Sequence, residues 1–160
     1  PELLTLRAVR ALQSADVILF DDLVSRDVLD FARREARKML VGKTGFGPSC
    51  KQSDINDLMV SLALQGKRVV RLKGGDPLIF GRAGEELDAC NAANIAVEIV
   101  PGITAAQGAA ARLGLSLSGT AWDAAEGEVV LGCECANPAL QIAMWGQEVN
   151  ESVAAAAISV

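Results

Sequence analysis

The 160-residue sequence contains no histidine. That absence removes the commonest zinc ligand, the Ser–His and Cys–His nucleophile pairs, and the most frequent general acid–base. Chemistry in this chain must run on carboxylates, lysines, backbone amides or a bound cofactor. Cysteine is scarce: Cys50, Cys90, Cys133 and Cys135 fit neither a disulfide framework nor a four-thiolate zinc site. Cys133-x-Cys135 without histidine is a poor metal site, so no metal is expected. No apolar run approaches the roughly 18 residues that a membrane span needs. Residues 1–13 lack the basic head and apolar core of a signal peptide. A cytoplasmic protein with no membrane partner is expected. Basic residues are missing from the last third: every Lys and Arg lies at or before Arg112. Residues 113–160 carry six acids and both tryptophans, and the net charge is −5. No nucleic-acid partner is expected. The change in composition marks a boundary.

Hydrophobic residues make up 51% of the chain and charged ones 22%, a balance that supports one packed core rather than disorder. Leu3, Leu6, Val9 and Leu12 predict an amphipathic helix over residues 3–13. Residues 17–20 form a short apolar run suited to a buried strand. Ser25 is a candidate N-cap for a second helix with Val28, Phe31 and Ala32 inward. Residues 38–41 suggest another strand, and residues 42–52 a loop. Ser53 is a candidate cap for a helix with Ile55, Leu58, Met59 and Leu62 on one face, closed by Gly66. Strands follow at 68–72 and 97–100, with a helix at 83–92 between them. Thr104 caps a small-residue helix that ends near Gly114. Alternating strands and helices predict an α/β fold, a mostly parallel sheet with helices on both faces. After residue 118 the alternation fades. Residues 129–131 suggest one short strand, and the Ala-rich end at 153–158 has no clear type.

Ligands of open parallel sheets bind beyond the carboxyl ends of the strands. Four candidate positions fall there: Asp21 with Asp22, Lys43, Gly74-Gly75-Asp76, and the 101–104 turn ending in Thr104. Paired glycines let a backbone approach a ligand and expose N–H groups. Asp76 can then accept from a ribose or an ammonium. A tight turn with a solvated Asp remains the alternative. Asp21 and Asp22 are adjacent and point to opposite faces in an extended segment, so one can face a cleft as a base. Both also suit a simple turn. Lys43 can bind an anion or donate a proton, or be an ordinary surface lysine. Thr104 is first a cap, and the N–H groups at its helix start can meet a cofactor. The two common glycine-rich nucleotide-binding signatures are absent.

Four stretches in register carry a resemblance. They are Val17-Ile18-Leu19-Phe20-Asp21-Asp22-Leu23-Val24-Ser25, then Val41-Gly42-Lys43, then residues 68–82 around Lys73-Gly74-Gly75-Asp76-Pro77 with Gly84-Glu85-Glu86, then Val100-Pro101-Gly102-Ile103-Thr104-Ala105-Ala106. Together they resemble the tetrapyrrole methylase family, in its uroporphyrinogen-III C-methyltransferase branch. The resemblance runs over residues 1–118. It implies methyl transfer from S-adenosyl-L-methionine to C2 and C7 of uroporphyrinogen III, giving precorrin-2 for siroheme or cobalamin. It implies cofactor contacts at Gly74, Gly75, Asp76, Ile79, Thr104 and Ala105. Asp21 matches the family's proton acceptor and Lys43 its proton donor. Arg82 is a candidate partner for substrate carboxylates, which arginine can hold in bidentate fashion. A homodimer is expected from the family.

The sequence also departs from that pattern. Ala83 stands where the family usually has Gly, and Ser118-Gly119-Thr120 where Thr-His-Arg is expected. The chain opens on Pro1 and a helix, where the family has a strand and glycine-rich loop before it. Against the family pattern, most or all of a second α/β domain is expected to be missing. Residues 119–160 read as a divergent acidic tail, and a frame-shifted or spliced-in coding stretch is one origin for it. Other reading frames past codon 118 with no family-like continuation would exclude that origin. Activity in this chain is expected to be impaired; a non-catalytic or degraded family fragment and a related methylase acting on another precorrin are the alternatives. Apolar surface left by an absent domain predicts association or poor solubility, read by sizing at high concentration.

Overall fold

The computed structural model describes residues 1–41, 51–79, 81–114, 117 and 155–159. Among the described residues, five strands form one sheet: β1 (Val17–Phe20), β2 (Arg37–Leu40), β3 (Val69–Gly74), β4 (Glu98–Val100) and β5 (Ala155–Ser159). The helices are α1 (Leu6–Ser14), α2 (Gln52–Leu64), α3 (Ala83–Ala92) and α4 (Ala105–Leu113). The strand order is β2-β1-β3-β5-β4. β1 runs parallel to both neighbours, with Val17 opposite Arg37 and Val69. β5 lies between β3 and β4 and runs antiparallel to both. The mostly parallel sheet expected from the alternation is thus present. The Ala-rich end, of no clear type in the sequence, supplies its one antiparallel strand.

Strand periodicity of two sends alternate residues to opposite faces and splits the core. Ile18, Val70 and Leu72 pack with Ala8, Leu12 and Ala15 of α1 and its end, and with Val24, Val28 and Leu29. Val17, Leu19 and Val69 pack on the other face with Ile55 and Met59 of α2 and Cys90 of α3. Helices therefore cover both faces. β2 is an edge strand, and its exposed Arg37 and Lys38 discourage pairing with another chain.

Some local expectations shift. α1 begins after Thr5, whose Oγ1 accepts from the Ala8 N–H at 3.2 Å. Its buried stripe is Ala8 and Leu12, while Leu6 is 76% exposed. A repeat of three falls short of a helical turn by about 60° per step, so Leu6 drifts off the face that holds Leu12. The helix expected after Ser25 is a 3-10 stretch, Arg26–Phe31, with no side-chain cap bond from Ser25. Val28 and Leu29 turn inward there and Phe31 stays exposed. Lys51 rather than Ser53 occupies the cap position of α2, and the Ser53 hydroxyl donates to Asp54 Oδ1 instead. Gly66, at φ +75°, closes α2 as expected, with the Lys67 N–H donating to Leu62 O at 3.2 Å. Lys73 and Gly74 belong to β3 rather than to the loop after it. The strand suggested at 129–131 lies outside the described residues.

Asp16 fastens the end of the sheet away from the strand carboxyl termini. Its Oδ2 accepts from the Arg68 N–H at 2.8 Å and its Oδ1 from Arg33. The Arg68 N–H, with Arg33 adding to it, holds the carboxyl below its ordinary value. A carboxyl depressed on folding adds stability above its unfolded pKa of about 3.8 that is lost as pH falls through the folded value. Asp16→Asn should therefore lower the urea midpoint near neutral pH. The gap to wild type should close in acid below both pKa values.

Candidate active site

The carboxyl ends of β1, β3 and β4 bring three segments together. Asp21 follows β1. Its Oδ1 accepts from the Leu23 N–H at 3.2 Å, which bends the chain into a turn. Its Oδ2 lies 3.4 Å from Arg71 Nη2, and its side chain keeps 20% exposure. Asp22 is exposed, and it lies in the turn rather than in an extended segment. The two acids differ in surroundings, Asp21 beside Arg71 and Asp22 in solvent.

β3 ends at Gly74, and the next residue, Gly75, is buried at φ +72°. That conformation strains any residue with a Cβ, which explains the second glycine of the pair. Asp76 closes the turn, accepting from the Leu78 N–H at 2.9 Å through Oδ1. Its Oδ2 accepts from the Gly102 N–H at 3.0 Å. One carboxylate therefore ties the loop after β3 to the turn after β4. Leu78 and Ile79 stand exposed on this loop. Thr104 caps α4 with a full capping box: its Oγ1 accepts from the Gln107 N–H at 3.2 Å. Gln107 Oε1 in turn accepts from the Thr104 N–H at 2.9 Å. Ala105 is the first residue of α4, half-buried beside the turn. Arg82, at φ 60°, sits before α3 and forms a two-pronged pair with Glu85 at 2.7 and 2.8 Å. That pair raises the guanidinium above its ordinary value. Lys43 lies outside the described residues, as do Cys50, Cys133 and Cys135.

Beneath these loops lies a feature that motif reading missed. Arg71, Lys73 and Glu86 are the buried charged side chains among the described residues. Arg71 and Lys73 alternate with Val70 and Leu72 on β3, so both face α3. Glu86, the fourth residue of α3, is fully buried between them. Arg71 Nε donates to Glu86 Oε1 and Lys73 Nζ to Oε2, both at 3.0 Å. Gln52, at the start of α2, adds a third donor to Oε1 at 3.2 Å. Arg71 Nη1 also donates to Leu72 O at 2.8 Å and to Leu19 O at 3.4 Å. Burial, with Arg71 adding to it, lowers the Lys73 ammonium from its ordinary value, and Glu86 opposes the change. Burial raises the neighbouring Cys90 thiol, so this cysteine is a poor nucleophile. The available signal was two basic residues alternating with valine and leucine in an otherwise apolar strand.

Lys73 also props the loop above it. A Cβ on Gly81, which sits at φ +85°, would lie 3.0 Å from Lys73 Cε. Gly81→Ala combines backbone strain with that approach. It should cost about 1–2 kcal/mol in urea unfolding.

This constellation carries a family match. The profile of the tetrapyrrole (corrin/porphyrin) methylases covers residues 1–125. The chain belongs to the tetrapyrrole methylases. The siroheme synthase of Baumannia cicadellinicola subsp. Homalodisca coagulata is 57% identical over 116 residues, 72% of this chain and 25% of that protein. The chloroplastic S-adenosyl-L-methionine-dependent uroporphyrinogen III methyltransferase of Arabidopsis thaliana is 54% identical over 118 residues, 74% of this chain and 32% of that protein. The crystal structure of uroporphyrin-III-C-methyltransferase from Thermus thermophilus superposes with a TM-score of 0.64 at 44% identity. The match covers 74% of this chain and 50% of that one. The Thermus enzyme complexed with S-adenyl homocysteine gives 0.63 at 43% identity. This methylase chain thus spans about a quarter to a third of the curated relatives and half of the solved enzyme. The resemblance drawn from four motifs is confirmed at the level of family and fold.

Proposed function

We propose that the chain supplies the base and one wall of the methyl-donor site of an S-adenosylmethionine-dependent uroporphyrinogen-III C-methyltransferase. The bond from Gly102 to Asp76 carries this reading, because it joins the two segments assigned to the donor. Gly74, Gly75, Asp76, Ile79, Thr104 and Ala105 would hold S-adenosylmethionine. The donor set suits it. Gly75 keeps the backbone bare, Asp76 retains free lone pairs on both oxygens, and Ile79 offers exposed apolar surface. When bound, this co-substrate supplies a methyl group on a sulfonium. Such a transfer needs alignment more than an activated side chain, so positioning by these loops supplies most of the rate.

Asp21 is the base in this proposal, taking the proton that the macrocycle loses when a pyrrole carbon gains its methyl group. Lys43 would return a proton. Arg82 would exchange Glu85 for a substrate carboxylate, which explains a bidentate guanidinium held at the rim. A cytoplasmic homodimer acting on a tetrapyrrole without metal completes the reading, as does the division into residues 1–118 and an acidic segment 119–160. Among the described residues, no helix is long and apolar enough to cross a membrane.

Transfer of a labelled methyl group to uroporphyrinogen III tests the proposal. Dimethylated product supports it. A second reading follows from the partial span of the relatives: a fragment that binds without turning over. Titration calorimetry with S-adenosylhomocysteine separates the two. Micromolar binding without product favours the fragment, and no binding at millimolar concentration overturns the donor site.

A further inference from the structure

We propose that Glu86 is a positioning residue that anchors both the Asp21 carboxylate and the loop after β3. The inference rests on the assignment of Asp21 as base and of that loop as the donor wall. Its basis is the division of one buried carboxylate between two cations with different tasks. Oε1 holds Arg71, whose far nitrogen reaches Asp21. Oε2 holds Lys73, whose stem lies under Gly81. Both connections pass through the same fully buried side chain on α3.

Arg71 is suited to transmit position. Its Nε and both Nη atoms are engaged, with Glu86, two strand carbonyls and Asp21 as acceptors. A planar guanidinium held at that many points cannot swing. Asp21 then gains a fixed partner in Arg71, while its side chain stays partly exposed after the end of β1. The contact is long enough, at 3.4 Å, to leave lone pairs free for an incoming proton. Buried ion pairs seldom stabilise a fold beyond what apolar packing would provide. Among the described residues, the buried charges are confined to this one place, under the strand ends.

The test uses the full chain with three variants and two readouts. Arg71→Lys cuts only the branch to Asp21. It should lower kcat by about 10- to 100-fold and leave the affinity for S-adenosylhomocysteine unchanged. Lys73→Met cuts only the branch to the loop. It should weaken S-adenosylhomocysteine binding by about tenfold and leave kcat at saturation unchanged. Glu86→Gln keeps the shape, loses the charge and should do both. Nuclear magnetic resonance reads the same shared anchoring without turnover. Glu86→Gln should shift the Asp21 carboxyl carbon and the Gly81 amide together, Arg71→Lys only the former and Lys73→Met only the latter. Glu86→Gln moving one signal alone overturns the shared anchoring, as do equal losses in both parameters for all three variants. Should Glu86→Gln fail to fold, Glu86→Asp, which keeps the charge but shortens its reach to both cations, should likewise move both signals, and one signal alone overturns the proposal there too. A wild type that neither binds nor turns over refutes the functional reading alone, because the resonance shifts stand apart from it.

Discussion

Asp21→Asn should reduce kcat for methyl transfer by about 10²- to 10⁴-fold, the range for loss of a general base. The amide keeps the size of the carboxylate. Its oxygen can still accept from Arg71 or from the Leu23 N–H, so the turn should survive. What it cannot do is take a proton. Asp21 also lies outside the segments assigned to the donor, so affinity for S-adenosylhomocysteine should stay within about twofold of wild type. Asp22→Asn is the matched control. Asp22 is exposed, and substitution there should leave kcat unchanged. A single-turnover assay with saturating donor reads the chemical step directly. An Asp21→Asn variant that keeps more than a third of wild-type kcat would remove Asp21 from the role of base.

How far the sequence reveals this arrangement depends on the range of each interaction. Thr104 and Gly114 mark the ends of α4 because caps are local: a side chain three residues from its N–H partner, a glycine at φ 65°. The burial of Val17, Leu19 and Val69 on one face follows from a period of two and needs no tertiary information. The meeting of the segments after β1, β3 and β4 was legible because α/β folds bring the carboxyl ends of parallel strands to one edge whatever the sequence between them, while Lys43 lies outside the described residues. Ser25 misled because a good capping residue does not by itself extend a helix. The following residues bury only Val28 and Leu29, enough for a short 3-10 turn. β5 was not legible, since Ala155–Ser159 has neither alternation nor β-branched enrichment except at Ile158. Its strand state is set by the two partners that flank it.

The Arg71–Glu86–Lys73 cluster was hidden for a different reason. Glu86 lies 15 residues from Arg71 and 13 from Lys73, across a loop and onto a helix. Its first-turn position in α3 looks like ordinary acid placement near a positive helix end. Only the register of α3 on the sheet turns it inward. The same fact explains why Arg82 and Glu85, one residue earlier, pair at the surface while Glu86 is enclosed. Adjacent residues on one helix thus form one ion pair at the surface and one in the interior.

Removing that enclosed carboxylate should have the largest effect on stability. Glu86→Leu should cost about 3–5 kcal/mol, the usual penalty for breaking a buried pair from one side. Arg71 would lose one of its acceptors. It would retain Asp21 and two carbonyls but lose its shortest ionic contact. Lys73 has another outlet. Its ammonium is already lowered by burial and by Arg71, and Glu86 is the first group that opposes this. Without Glu86 the lysine should sit lower still, so that its ammonium gives up its proton at a lower pH in the folded chain than in the unfolded one. The folded state then binds fewer protons than the unfolded one, whose lysine titrates near 10.5. Stability must therefore rise with pH between the lowered folded pKa and that value. The deficit of Glu86→Leu against wild type, read from urea midpoints, should be largest near neutral pH and shrink toward about pH 10. Adding Lys73→Met to Glu86→Leu should recover part of the loss and flatten this dependence, since only one buried cation is left. A deficit independent of pH would mean that Lys73 stays charged in the variant, and with it that Glu86 is not what keeps the ammonium protonated in the folded protein.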